Sequence, residues 1–184
     1  MFQDNVLKIL EEIKFVLLPT KQSQIDKLIK EIKAAENIVV IGVGRMGLMA
    51  KTFSMRLGHF GLKAYTLGDS TAPFLHEKDL LIVCSGSGET QTVFDQVLIA
   101  QKNNVKIVSI TGNPKSRIGK LSDVVVKINS PSKVKKIKRF KSIQPMTTLT
   151  EQSLLIMLDA IVLELMVELN QTGETMWARH FNLE

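Results

Sequence analysis

Apolar positions at the start of the chain recur with a helical period, and from residue 38 the pattern changes. Val6, Ile9, Leu10, Ile13 and Leu17 fall on one helical face, which predicts an amphipathic helix over 4–18 that Pro19 ends. Ile25, Leu28, Ile29 and Ile32 do the same over 23–35. Short, mainly apolar runs then take over at 38–41, 62–67, 80–84, 105–110 and 124–128, unbroken at 38–41 and 80–84. Between them lie helical stretches reaching His59, a second over 91–103 and a short turn over 116–121. Apolar strands alternating with helices specify a parallel sheet covered on both faces. Right-handed crossovers make it a doubly wound, flavodoxin-like α/β fold, a three-layer αβα sandwich on a five-stranded sheet. A loop over 129–145 leads into a long helix over 147–170, and Gly173 precedes a short polar ending. The expectation is one domain. Its first two helices (4–35) and last long helix (147–170) stand outside the alternation, well placed to contact another subunit.

The chemistry gathers in the loops after the first and third strands, which share the carboxyl edge of the sheet where ligands bind. Ser85-Gly86-Ser87-Gly88-Glu89-Thr90 joins the third strand to its helix. Such a turn aims free backbone N–H groups and a positive helix end at one point. Ser85, Ser87 and Thr90 add hydroxyl donors, and Gly86 and Gly88 let the backbone approach a ligand closely. The combination suits a phosphate monoester. It lacks the Lys-Ser/Thr pair of the nucleotide-triphosphate loop. Glu89 would repel phosphate if it pointed inward, so it is expected to point away and orient the loop. The first loop reads Gly42-Val43-Gly44-Arg45-Met46-Gly47, a G-x-G-x-x-G spacing with Asp69 near the place of a ribose-binding acid. Dinucleotide binding is therefore the rival reading, although it has no use for the hydroxyl-rich second loop. Arg45 sits where a guanidinium reaches an anion.

Composition narrows the classes. The chain has 184 residues, a formal net charge of +6, one cysteine and three histidines. A lone Cys84 at a strand end is expected to be buried, and no spacing suits a metal site. The first nineteen residues carry Glu11 and Glu12 and do not read as a signal peptide. No run approaches the ~18 apolar residues of a membrane span, so a cytoplasmic location follows. The positive charge fits an anionic ligand. Lys133, Lys135, Lys136, Lys138, Arg139 and Lys141 form a basic run whose readings are a solvated loop, a funnel for sugar phosphates or a nucleic-acid patch. Little aromatic interleaving makes nucleic acid the weakest of the three.

The segments GVGRMG, SGSGET and SIQPMTTLTEQ, with the terminal RHFNLE, together resemble the 6-phospho-3-hexuloisomerases of the sugar isomerase (SIS) domain superfamily. The resemblance spans nearly the whole chain. It implies a five-stranded SIS sandwich, a homotetramer and a phosphorylated ketose as substrate. The implied reaction interconverts D-arabino-hex-3-ulose 6-phosphate and fructose 6-phosphate, the step after aldol fixation of formaldehyde onto ribulose 5-phosphate. It requires no metal or redox cofactor. The phosphate-loop role maps onto Ser85, Ser87 and Thr90, and the sugar-binding role of the first loop onto Gly42, Gly44 and Arg45. Met46 departs from the family's usual serine, the basic run from a milder loop, and Thr147-Thr148 and Phe181 in smaller ways. Moving a carbonyl between C3 and C2 needs a base for the intervening proton and a positive partner for the enediolate. Glu151, in the first turn of the last long helix, is the first candidate base, and its bland role is that of a dipole partner. His180 beside Arg179 and Asn182 is the second candidate, in a tail able to complete a neighbour's site, and His59 is the third. His76 is expected at the surface and Asp159 at an interface. Rival activities are a heptose-phosphate type of SIS isomerase and a non-catalytic module that senses sugar phosphates.

Overall fold

Five short parallel strands in the order β2-β1-β3-β4-β5 organise the chain. A computed structural model describes residues 1–131 and 141–183. The strands are β1 (Ile38–Ile41), β2 (Ala64–Thr66), β3 (Leu80–Cys84), β4 (Lys106–Thr111) and β5 (Val124–Lys127). The helices are α1 (Phe2–Leu17), α2 (Gln22–Ala34), α3 (Gly44–His59), α4 (Gln91–Lys102), α5 (Arg117–Leu121), α6 (Thr148–Glu168) and α7 (Gly173–Trp177). The elements expected from periodicity are all present within a few residues of their expected ends. The exception is α7, five residues long, which carries no period to detect. Its signal is chemical: Thr172 and Thr175 form a reciprocal capping box at its start.

Strands β1 and β3 are buried along their whole length, as the unbroken apolar runs require. Alternate side chains feed two cores. Ile38, Val40, Leu80 and Ile82 join the core under α1, α2, α3 and α6. Val39, Ile41, Leu81 and Val83 join the smaller core under α4 and α5. In register, Ile38 pairs with Leu80 and Ile41 with Val83. The chain runs outward from β1 to β2, then returns to place β3 on the other side of β1. The reversal leaves a crevice at the carboxyl ends of β1 and β3, between the starts of α3 and α4.

Helix α1 buries Ile13 and Val16 and packs along α6. Its other face leaves Phe2, Leu7, Leu10 and Phe15 exposed. Helix α6 is apolar on nearly all sides. It buries Leu154, Leu158 and Leu165, yet leaves Leu163 and Val167 in solvent. Among the described residues, no helix is long and apolar enough to cross a membrane. The basic run lies outside them except for Lys141, which is exposed.

Candidate active site

Three helix N-termini converge on the crevice. Val43, Gly44, Arg45 and Met46 from the start of α3, Gly86, Ser87 and Thr90 from the β3–α4 turn, and Thr147, Thr150 and Glu151 from the start of α6 line a cavity of about 310 Å³. None of these helices has a side chain capping its N-terminus. Their first N–H groups have no partner within the helix, and each dipole presents its positive end to the cavity. An anion is the complementary ligand.

The backbone of both glycine loops is dictated by close approach. A Cβ on Gly47 would lie 2.6 Å from the Gly42 carbonyl oxygen, so the first turn closes only with glycine there. Gly88 takes φ +67, and a Cβ on it would collide with the Ser116 hydroxyl at 2.0 Å. Within the second loop the hydroxyls divide their work. Ser85 is buried and its Oγ accepts from the Gly88 N–H at 3.1 Å, bracing the turn from beneath. Ser87 lines the cavity while its Oγ accepts from the Glu89 N–H at 3.2 Å. Thr90 is the N-cap of α4 but makes no capping bond, which leaves its hydroxyl to the cavity. Glu89 turns away from the cavity. Its carboxylate accepts from the Arg117 backbone N–H and Nε at 3.1 and 2.8 Å, and these bonds hold its pKa below the usual range. Cys84, one residue before the loop, is buried, and burial pushes its thiol up to about 12, far from any nucleophilic role.

Glu151 is buried and doubly held. Thr147 Oγ1 donates to its Oε1 at 2.7 Å, and Arg45 Nη1 pairs with its Oε2 at 3.0 Å. The same Arg45 nitrogen donates to Thr148 Oγ1 at 3.1 Å. A carboxylate, a guanidinium and the phosphate-type loop thus share one cavity. Thr150 joins them: its Oγ1 lies 2.8 Å from Ser130 Oγ and donates to the Pro131 carbonyl at 3.1 Å. Sequence reasoning saw Thr147 and Thr148 only as departures from a family pattern, and gave Thr150 no role. The signal was there: three threonines within 147–150, interrupted only by Leu149, put three hydroxyls at a helix start beside the acid.

The remaining candidates lie elsewhere. Arg45 and His59 occupy opposite ends of α3, about 20 Å apart along the axis at the standard rise. His59 lines a second groove with Arg56, Asp159, Leu163, Trp177 and His180. His180 stacks on Trp177 at 4.8 Å and tilts against His59 at 5.3 Å between ring centroids. Burial, the Arg56 charge and His180 hold the His59 pKa below its ordinary value. Asp159 is exposed there. His76 is bound locally, with Nε2 3.5 Å from Asp79. Asp69 accepts from the Thr66 N–H at 2.7 Å and hydroxyl at 2.9 Å, tying off the end of β2. It takes no part in lining the cavity, which opens from the first loop towards α4 and α6. Among the described residues, no group of three or more His, Cys, Asp or Glu is placed to hold a metal ion.

Residues 31–157 match the SIS domain. The chain is 38% identical to the 3-hexulose-6-phosphate isomerase of Bacillus subtilis (strain 168), over 98% of each chain. It is 36% identical to that of Methanocaldococcus jannaschii, over 92% of this chain and 89% of the relative. A crystal structure of a Methanococcus jannaschii protein, inferred from that structure to have the function of a 3-hexulose-6-phosphate isomerase, is similar at a TM-score of 0.83. It has 31% identity and covers 98% of this chain and 99% of that one. The αβα sandwich is that of a sugar-isomerase domain. Within that class the chain belongs to the 3-hexulose-6-phosphate isomerase family, and it is an isomerase.

Proposed function

We propose that the protein interconverts D-arabino-hex-3-ulose 6-phosphate and D-fructose 6-phosphate through a 2,3-enediol, with Glu151 as the base. The carrying observation is that the buried Glu151 carboxylate shares a cavity with the Ser87–Thr90 turn and the start of α4. The phosphate docks on the Ser87 and Thr90 hydroxyls and the free N–H groups of α4. Ser85, Gly86 and Gly88 shape that turn. The ketose end then reaches the mouth of α3, formed by Gly42, Gly44 and Arg45. Glu151 takes the proton from C2 of the 3-ketose, the C3 carbonyl oxygen becomes the enediolate oxygen, and Arg45 faces that charge. The proton returns at C3 as the C2 hydroxyl gives up its proton, leaving the 2-ketose. Atoms balance without an external oxidant or reductant.

His59 closes the far end of α3 and His180 packs beside it, so neither reaches the cavity of its own chain. Their proposed role, a proton shuttle between the substrate oxygens, is therefore played in a neighbouring subunit's cavity. A homotetramer would supply that neighbour. The exposed apolar residues Leu163 and Trp177, which line the histidine groove, support burial against another copy. The enzyme works in the cytoplasm on this reading.

Incubation with fructose 6-phosphate in D2O tests the chemistry. The expected result is deuterium at C3 of recovered fructose 6-phosphate and a 3-ketose carrying deuterium at C2. Exchange at C1 alone would assign a 1,2-enediol and an aldose–ketose isomerase instead. Absence of any exchange would leave a binding module.

A further inference from the structure

Glu12 belongs to α1, an element outside the matched SIS domain, and yet its carboxylate is buried and fully occupied by the loop that leads into α6. Oε2 accepts from Ser142 Oγ at 2.7 Å and Gln144 Nε2 at 2.9 Å, and Oε1 accepts from the Ile143 N–H at 2.7 Å. Burial pushes this carboxyl up, but the bonds from Gln144, Ser142 and Ile143 outweigh it and hold its pKa below the usual range. Charge-assisted bonds of this kind are the strong ones, and three on one carboxylate fix the loop in place.

What the loop does next explains the grip. Met146 takes φ +52, a left-handed conformation that is strained for a side-chain-bearing residue and persists only where the surroundings impose it. Met146 is 94% exposed, so its own packing imposes nothing. The residue after it is Thr147, which holds Glu151, and the next is Thr148, which holds Arg45. The strained turn lies between the Glu12 anchor and the carboxylate of the cavity.

We propose that Glu12 is a positioning residue, holding the 142–146 turn closed so that Thr147 and Thr148 aim Glu151 and Arg45 into the cavity, an assignment that rests on Glu151 being the base. Helix α1 thereby acts on the active site of its own chain. Among the described residues, no hydrogen bond joins the phosphate turn over 85–90 to Glu12, to the 142–146 turn or to Thr147 and Thr148, so substrate capture is separable from chemistry.

Full-length Glu12→Ala, Met146→Gly and the double variant are compared with Glu151→Gln, measuring kcat and KM for fructose 6-phosphate and the thermal midpoint. Because a misplacement of about 1 Å can cost about a hundredfold, kcat of Glu12→Ala should fall by at least about tenfold. Its KM should stay within about twofold, the mark of lost transition-state rather than ground-state binding. Glycine at 146 removes the strain that Glu12 opposes, so the double variant should recover most of the lost rate. A purely structural role would lower the thermal midpoint without that recovery. Should Glu12→Ala not fold, Glu12→Gln retains the shape, loses at least one acceptor, and should show the same split. Wild-type kcat in either Glu12 variant, or a loss that Met146→Gly does not repair, overturns the proposal while leaving Glu151 as base. Turnover by Glu151→Gln at the wild-type rate removes the base assignment, and this proposal with it.

Discussion

Arg45 and Glu151 are 106 positions apart in the chain and form an ion pair of 3.0 Å across the mouth of the cavity. Each comes from the first turn of a helix, α3 and α6, and neither helix has a side-chain cap. An arginine at a helix start opposes the dipole, and the carboxylate offsets that cost. The pair also restrains the base, since Oε2 is engaged until a substrate oxygen competes for the guanidinium.

Removing the guanidinium separates these effects. Arg45→Met should lower kcat by about a hundredfold, the usual loss when one charge-stabilising donor is taken from a developing oxyanion. Arg45→Lys should recover only part of it. A single ammonium does not reproduce the planar group that serves Thr148 and Glu151 together. Steady-state kinetics decide, and equal rates for Lys and Met variants would mean that the planar geometry is irrelevant.

Thr90→Val should act on binding. The hydroxyl at the start of α4 is uncommitted in the free protein, and a hydrogen bond to a charged group contributes roughly 1.5–3 kcal/mol, so KM should rise by about tenfold or more. Inhibition by inorganic phosphate should weaken in parallel. Ser87→Ala should do the same and also loosen the turn, since its Oγ holds the Glu89 N–H. Unchanged phosphate inhibition in both variants would move the phosphate elsewhere.

Gly47→Ala probes the first turn without touching a ligand group. Its Cβ would sit 2.6 Å from a backbone oxygen that has no freedom to retreat. A loss of about 1–3 kcal/mol in urea unfolding is expected, the usual range for overpacking. Gly44→Ala meets no atom within 4 Å but pays for φ +58, and should cost less.

His59 gives the pH dependence. Its folded pKa is below the ordinary value of 6.5, so protonation favours the unfolded chain. Its contribution to stability is complete above pH 6.5 and is lost as pH falls through the folded value. Ring-proton NMR should show a midpoint below 6.5, and Arg56→Gln should move it upward by removing a neighbouring positive charge. A midpoint unmoved by that substitution would leave burial and His180 as the causes.

Much of this protein could be read from local order. The apolar runs at 38–41 and 80–84 specify buried parallel strands because each stretch must be covered on both faces. Gly47 and Gly88 mark tight turns because no side chain fits where their Cβ would be. Ser87, Thr90, Arg45 and Glu151 were visible as loop hydroxyls and helix-start charges. Their meeting in one cavity was not. It depends on the reversal of strand order between β1 and β3 and on α6 returning over the same face, contacts made between residues far apart in the chain. Nor does periodicity place Glu12: it reads as a polar position on α1, and only folding carries it to Ser142, Ile143 and Gln144. The separation of His59 from Arg45, by contrast, was implicit in the length of α3, because a rigid helix turns a count of residues into a distance. Short-range spacing sets strands, turns and helix faces through sterics and burial, whereas which distant groups become neighbours is decided by how the layers pack.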